Sequence, residues 1–158
     1  MWFLLEKIPI LLFFLSIYLL ITISQENLTL LLFYIVGFIT NELLNRVLKP
    51  WIRDPRPGPV PRPLSPTDKY GMPSGHSQLA AFSLVFMALV LQEKHYGWII
   101  ILLFLFLTLV SMVQRVVIKA HSIAQVIIGG LLGGGIGYLF YDLSKKIYKK
   151  KIILPSWL

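Results

Sequence analysis

Five long apolar stretches constrain the fold of this sequence more than any other feature. They cover residues 8–24, 28–48, 75–92, 98–118 and 122–141. A helix needs about 20 apolar residues to cross a bilayer, and unpaired backbone groups are costly in hydrocarbon, so single segments that cross it are helical. We therefore predict an all-α fold, an integral membrane helix bundle with about five transmembrane helices.

These segments use most of the 158 residues. What remains is a set of short connectors, one polar loop over residues 49–75 and a basic tail over residues 142–158. We therefore predict a single transmembrane domain over residues 1–158. The first segment is predicted to be a retained spanning helix, because no small-residue cleavage pattern follows it.

The charged residues exclude some classes of function. The net charge of +8 comes from helix ends, the tail and the proline-rich loop, whereas a nucleic-acid-binding protein concentrates basic residues on one face. We expect no nucleic-acid partner. The sequence has no cysteine, which excludes disulfides and thiolate catalysis. A basic loop that only touches anionic lipid head groups remains an alternative reading of residues 49–72.

Glycines at four-residue spacing line one face of the fifth segment. They are Gly129, Gly133 and Gly137, with Gly130 and Gly134 beside them. Small residues at this spacing allow two membrane helices to pack closely. A glycine-lined groove for lipid is the alternative.

Three polar clusters lie at predicted helix ends. KPWIRDPRP ends the second segment, GMPSGHSQ opens the third, and RVVIKAHSIAQ joins the fourth to the fifth. Consecutive spanning helices run in opposite directions, so the three clusters are predicted to share one membrane face. Ionisable groups near hydrocarbon are costly and usually functional.

The clusters contain the parts of a phosphate site. Arginine and lysine side chains, a serine hydroxyl and backbone N–H groups at a helix N-terminus all bind phosphate oxygens. Two histidines add a nucleophile and a proton donor for phosphoryl transfer. We expect no metal and no cofactor, because no carboxylate cluster accompanies the histidines. His95 is interpreted as a connector residue. The candidate residues are Lys49, Arg56, Ser74, Gly75, His76, Arg115 and His121.

The clusters resemble the signature motifs of the type 2 phosphatidic acid phosphatase superfamily, which are K-x6-RP, PSGH and SR-x5-H-x3-D. The resemblance implies that Lys49, Arg56, Ser74, Gly75 and Arg115 bind phosphate. It also implies that His121 forms a phosphohistidine and that His76 protonates the leaving group.

The third motif departs from the family pattern at two positions. Gln114 replaces the serine, and Gln125 replaces the aspartate that orients the nucleophile. At four residues' spacing Gln125 can still accept the ring N–H of His121. A neutral amide stabilises an imidazolium less than a carboxylate does, so either the activity is reduced or the reaction is less demanding.

The segments KYGMPSGHSQ and HSIAQV look most like the dolichyl diphosphatase branch of the superfamily, which also carries glutamine after its histidine. This resemblance implies a polyprenyl or dolichyl diphosphate substrate, the endoplasmic reticulum membrane in a eukaryote and a lumenal site. In a prokaryote the site is expected on the extracytoplasmic face of the plasma membrane. The basic tail favours a cytoplasmic C-terminus.

Two alternatives remain open. One is a broader phosphatase for phosphatidic acid or an undecaprenyl carrier. The other is a non-catalytic protein that binds or scrambles phospholipids.

Overall fold

The structure is a computed structural model that describes residues 2–23, 28–58, 69–92 and 94–153. Within these ranges the chain forms six helices: α1 (Trp2–Leu5), α2 (Ile8–Ile23), α3 (Leu28–Ile52), α4 (Gly75–Leu91), α5 (Gly97–Val117) and α6 (Ile123–Ile153). The five longer helices correspond to the five predicted segments. The middle of the predicted loop, residues 59–68, and the last residues of the predicted tail, 154–158, lie outside the described ranges.

Among the described residues, three helices are long and apolar enough to cross a membrane by length and composition. They are α3, α5 and the part of α6 over Ile123–Lys149. The apolar helices α2 and α4 are shorter, with 16 and 17 residues. At a rise of about 1.5 Å per residue they extend over roughly 24 to 26 Å, close to the hydrocarbon thickness of about 30 Å. The prediction of an all-α membrane bundle is confirmed.

Helix α3 illustrates the inverted polarity of the bundle. Its buried residues are Tyr34, Gly37, Asn41 and Asn45, which recur every three or four positions along one face. Large aliphatic residues such as Leu32, Leu43 and Val47 are exposed on the opposite side. A helix with its polar residues inside and its apolar residues outside is suited to lipid, since polar groups within a membrane helix face the bundle interior.

Helix α4 lies at the centre and contacts α2, α3, α5 and α6. Its approach to α6 is so close that three glycines of α6 have no room for a Cβ atom, because backbone atoms of α4, or of the residue directly before it, lie at that place. They are Gly129, Gly133 and Gly137, which face Ser74, Gln78 and Phe82. The prediction that these glycines serve helix packing is confirmed, and this face of α6 is not a lipid groove.

Two predicted helix ends were too early. Helix α3 continues past Pro50 to Ile52, because proline in the last turn removes only one intrahelical hydrogen bond. The Nε of Arg53 donates to the Pro50 carbonyl at 3.0 Å and satisfies an acceptor there. Helix α6 continues beyond residue 141 to Ile153, and an ion pair of 2.6 Å between Asp142 and Lys146 supports the added turn.

Candidate active site

The ends of the polar loop meet beside the α6 N-terminus. The backbone N–H of Gly71 donates to the Asp54 carbonyl at 2.7 Å, and Pro55 forms an antiparallel bridge with Tyr70. This pairing holds the RDPRP segment in place and directs Arg56 inward, where its Nη1 donates to the Ala120 carbonyl at 3.1 Å.

The turn after α5 brings His121 back over Arg115. The N–H of Ala120 donates to the Arg115 carbonyl at 3.0 Å, and the N–H of Lys119 donates to the Val116 carbonyl at 3.0 Å. This is the Schellman pattern of helix termination, in which Lys119 takes the left-handed conformation with φ of 56°. The N–H of His121 also donates to the Arg115 carbonyl, at 3.1 Å. The R-x5-H spacing therefore places the histidine at the end of the helix that carries the arginine.

A capping box starts α6 immediately after His121. The N–H of Gln125 donates to the Ser122 hydroxyl at 3.2 Å, and the N–H of Ser122 donates to the Gln125 Oε1 at 3.1 Å. This reciprocal pair satisfies two backbone donors of the first turn. The same Gln125 Oε1 lies 3.1 Å from the Nδ1 of His121.

The hydrogen bonds of Gln125 determine the tautomer of His121. The Gln125 Nε2 donates to the Asp54 Oδ2 at 2.6 Å and to the Pro55 carbonyl at 2.8 Å. Both partners are acceptors, so the amide orientation is fixed and its Oε1 must accept. The Nδ1 of His121 therefore carries the proton, and in the neutral ring the Nε2 has a lone pair. That lone pair accepts from the Nη1 of Arg56 at 3.1 Å.

The environment of His121 favours the neutral ring. The side chain is 2% exposed. Burial, together with the positive charges of Arg56 and Arg115, lowers its pKa from 6.5 to about 3, and the bond to Gln125 opposes this change. Both main causes disfavour an additional positive charge. His121 therefore presents an unprotonated nitrogen at neutral pH.

One cavity of about 820 Å³ collects most of the predicted site. Six of the eight predicted residues line it: Lys49, Arg56, Gly75, His76, Arg115 and His121. The other two, Ser74 and Gln125, are buried and do not line the cavity. The Ser74 hydroxyl accepts from Ser77 at 3.1 Å, and Gln125 lies behind His121.

Apolar and acidic residues complete the wall. Pro9, Ile10, Phe38 and Leu79 give the cavity a side suited to a hydrocarbon chain. Glu6 also lines it, and its Oε1 accepts from the Nη1 of Arg115 at 3.2 Å.

A buried amide cluster that the sequence reasoning missed ties α3 to α4. The Asn45 Nδ2 donates to the Pro73 carbonyl at 3.1 Å and to the Gln78 Oε1 at 2.7 Å. The Gln78 Nε2 in turn donates to the Asn41 Oδ1 at 2.7 Å. These contacts fix the PSGH turn against α3. The available signal was the presence of two asparagines four residues apart in a spanning helix.

The departure at Gln114 also has a structural consequence. Gln114 is 1% exposed, and its Oε1 accepts from the Nη1 of Arg115 at 3.4 Å. Because glutamine is longer than the serine of the family motif, its amide contacts the guanidinium of Arg115 directly.

Comparisons with known proteins agree with this geometry. The sequence profile of the PAP2 superfamily matches residues 30–149, which include all three polar clusters. The chain belongs to the PAP2 superfamily. The resemblance to this superfamily, with similarity to its dolichyl diphosphatase branch, is confirmed by both the profile and the curated relatives below.

Several PAP2 relatives are dolichyldiphosphatases. Dolichyldiphosphatase 1 of Rhinolophus ferrumequinum is 29% identical over 126 residues, which cover 72% of this chain and 52% of that protein. Dolichyldiphosphatase 1 of Dictyostelium discoideum is 31% identical over 121 residues, which cover 72% of this chain and 52% of that protein. Lipid phosphate phosphatase gamma of Arabidopsis thaliana is 30% identical over 143 residues, which cover 80% of this chain and 62% of that protein. The chain thus spans about half to three fifths of the length of these relatives.

A solved structure shows the same PAP2 fold. The PAP2 type phosphatidylglycerolphosphate phosphatase from Bacillus subtilis superposes with a TM-score of 0.58 at 22% identity, covering 98% of this chain and 80% of that chain. Together with the apolar helices, this likeness identifies the chain as an integral membrane protein of the PAP2 fold.

Proposed function

We propose that this protein is a membrane lipid phosphatase that hydrolyses a polyprenyl diphosphate to the monophosphate and inorganic phosphate through a phosphohistidine. The observation that carries the proposal is the unprotonated Nε2 of His121 beside Arg56, at a cavity lined by cations and by apolar side chains. A neutral imidazole nitrogen facing an anion pocket is suited to attack on phosphorus.

The chemistry assigns the nucleophilic attack to His121 and the proton transfers to His76. The Nε2 of His121 attacks the terminal phosphorus, and the bond from phosphorus to the bridging oxygen breaks. His76, which lines the same cavity, gives a proton to the departing oxygen of the lipid monophosphate. Water then attacks the phosphohistidine, His76 takes the proton of that water, and inorganic phosphate leaves.

The cations stabilise the charge that the phosphoryl group carries during transfer. Lys49, Arg56 and Arg115 line the cavity, and guanidinium groups form paired hydrogen bonds with phosphate oxygens. The first turn of α4 begins at Gly75 and adds backbone N–H groups with a favourable helix dipole. Ser74, which is buried, precedes this turn, and its carbonyl accepts from the N–H of Gln78 at 3.0 Å.

A diphosphate suits this site better than a phosphate monoester. Its hydrolysis expels a phosphate, which is a better leaving group than the alkoxide lost from a monoester, so the neutral Gln125 is tolerated beside the nucleophile. The names of the dolichyldiphosphatase relatives support the same substrate class.

We propose that catalysis needs no metal ion and no cofactor, because the three cations supply the charge stabilisation. We also propose an extracytoplasmic site and a cytoplasmic C-terminus. In a eukaryotic cell this corresponds to the endoplasmic reticulum membrane with a lumenal site. The basic residues at the end of α6, such as Lys145, Lys146 and Lys149, support this orientation.

The test is phosphate release from a long-chain polyprenyl diphosphate by detergent-purified protein in EDTA. The proposal expects release of one phosphate per lipid, loss of at least 1,000-fold in His121→Ala, a scale set by the about 10⁶-fold or larger accelerations of enzymes, and weak release from phosphatidic acid. Activity that needs a divalent metal, or that survives His121→Ala, would overturn the mechanism.

A broader lipid phosphatase is the second candidate, favoured by the relative named lipid phosphate phosphatase gamma. Equal kcat/KM on phosphatidic acid and on the diphosphate would select it. Binding of both lipids without any phosphate release would instead select a non-catalytic protein that binds or scrambles phospholipids.

A further inference from the structure

A carboxylate lies behind the nucleophile and is separated from it by one side chain. The Oδ2 of Asp54 accepts from the Gln125 Nε2 at 2.6 Å, and the Gln125 Oε1 faces the Nδ1 of His121 at 3.1 Å. The amide of Gln125 therefore links the carboxylate to the imidazole through two consecutive hydrogen bonds. Asp54 is absent from the cavity lining, so it acts on the substrate only through other residues.

The structure holds this link in a single arrangement. The two donors of the Gln125 amide are used by Asp54 and Pro55, and its oxygen is shared by His121 and Ser122. Gln125 is 1% exposed. A fully satisfied buried amide of this kind is rigid, and its orientation cannot reverse without placing acceptors against acceptors.

Gly71 makes room for the link. Its N–H donates to the Asp54 carbonyl at 2.7 Å, and a Cβ at this position would collide with the amide of Gln125. The YGMPS segment therefore positions Asp54 through its backbone and leaves space for Gln125 through its missing side chain. Both ends of the polar loop contribute to the environment of the nucleophile.

We propose that Asp54 is a positioning residue that acts through Gln125 and supplies the negative charge that stabilises His121 as it becomes phosphorylated. When the Nε2 of His121 bonds to phosphorus, the ring gains positive charge and its Nδ1–H becomes a stronger donor. A carboxylate polarises the amide between them, which strengthens the bond from Nδ1 to the Gln125 Oε1. The negative charge of Asp54 thus lies one side chain further from the nucleophile than the aspartate of the H-x3-D motif does. This inference rests on the proposed function.

The first test removes the charge from Asp54. The variant Asp54→Asn should lower kcat on the polyprenyl diphosphate by about ten-fold or more, a factor equivalent to roughly 1.4 kcal/mol, and should leave the affinity for inorganic phosphate, measured as competitive inhibition, within about two-fold. Loss of folding would change both quantities. Asp54→Glu keeps the charge and should retain more kcat than Asp54→Asn. The matched control is Asp142→Asn on α6, whose carboxylate pairs with Lys146, and it should leave both quantities unchanged.

The second test exchanges the two groups of the link. Gln125→Glu alone places a carboxylate oxygen against the oxygens of Asp54 and Pro55, so kcat should fall sharply. In the double variant Asp54→Asn/Gln125→Glu, the new amide can donate to the new carboxylate. The double variant should therefore have a kcat at least about ten-fold above that of Gln125→Glu, the scale of coupling expected for contacting residues.

These outcomes separate the inference from the proposed function. If the native protein releases phosphate, and Asp54→Asn matches it in kcat or the two substitutions combine additively, the role of Asp54 is wrong and the phosphatase proposal stands. If the native protein releases no phosphate from any lipid diphosphate, the proposed function itself fails.

Discussion

His121 illustrates how much of the chemistry is determined by a single hydrogen-bonded side chain. Gln125 accepts from its Nδ1, which leaves the Nε2 as the nucleophile. The pattern H-x3-Q predicts this contact from helical spacing alone. The tautomer depends on Asp54 and Pro55, which orient the Gln125 amide and are about 70 residues away along the chain, and no local pattern indicates that pairing.

The lowered pKa of His121 predicts a dependence of stability on pH. Its pKa is about 3 in the folded protein and near the ordinary 6.5 when unfolded, so between these values the unfolded chain binds more protons. The free energy of unfolding should therefore decrease as the pH falls from 6.5 towards 3. We expect the Tm in detergent to decrease more between pH 7.5 and pH 5 in the native protein than in His121→Gln. Equal decreases would contradict the burial of a neutral imidazole.

The carboxylate of Glu6 is expected to compete with phosphate for Arg115. Its carboxylate accepts from Arg115 inside the cavity, so an incoming phosphate must displace it. Glu6→Gln should tighten inhibition by orthovanadate about three-fold or more, because the inhibitor no longer has to displace a carboxylate from Arg115; three-fold corresponds to roughly 0.7 kcal/mol. Glu42→Gln is the control, because Glu42 lines the same cavity but pairs with Arg46. Equal effects of the two substitutions would mean that only the general charge of the cavity matters.

At the scale of elements, the contact between α4 and α6 determines where the site residues meet. The glycine spacing in α6 predicted a close helix contact, and the structure places α4 there. The sequence could not identify the partner helix, because every other spanning segment is also apolar. The early boundaries at residues 48 and 141 have a different cause. The contacts of Arg53 with Pro50 and of Asp142 with Lys146 are local, but the segments were predicted from apolar length alone, which does not include them.

Two glycines of α6 provide a matched pair of variants. A Cβ at Gly133 would collide with the Gln78 carbonyl of α4, whereas a Cβ at Gly135 meets no atom within 4 Å. Gly133→Ala should lower the free energy of unfolding by about 1–3 kcal/mol and reduce activity, because α4 carries His76. Gly135→Ala should be neutral or stabilise by up to about 1 kcal/mol. Thermal unfolding in detergent measures both, and equal stability of the two variants would contradict the close packing.

At the scale of the whole molecule, alternation of helix direction brings the three polar clusters to one face. The sequence predicted this arrangement from the number of spanning segments between the polar clusters. It did not predict that Glu6, just before α2, reaches the same cavity, because nothing in the sequence pairs that residue with Arg115.

The orientation in the membrane can be tested directly, because the sequence has no cysteine. Lys69→Cys lies on the face of the site, whereas His95→Cys and Lys149→Cys lie on the opposite face, and all three positions are exposed. A membrane-impermeant maleimide should label Lys149→Cys and His95→Cys only from the cytoplasmic side and Lys69→Cys only from the other side. Labelling of Lys69→Cys and Lys149→Cys from one side would contradict the topology.

The most direct test of the central claim is to trap the phosphorylated enzyme. A polyprenyl diphosphate labelled in its terminal phosphate is mixed with the purified protein, quenched in alkali within milliseconds and digested for mass spectrometry. The account predicts acid-labile phosphate on the Nε2 of His121, absent from His121→Ala. Phosphate on His76 or on a carboxylate, or phosphate release without any labelled protein at any time, would contradict it.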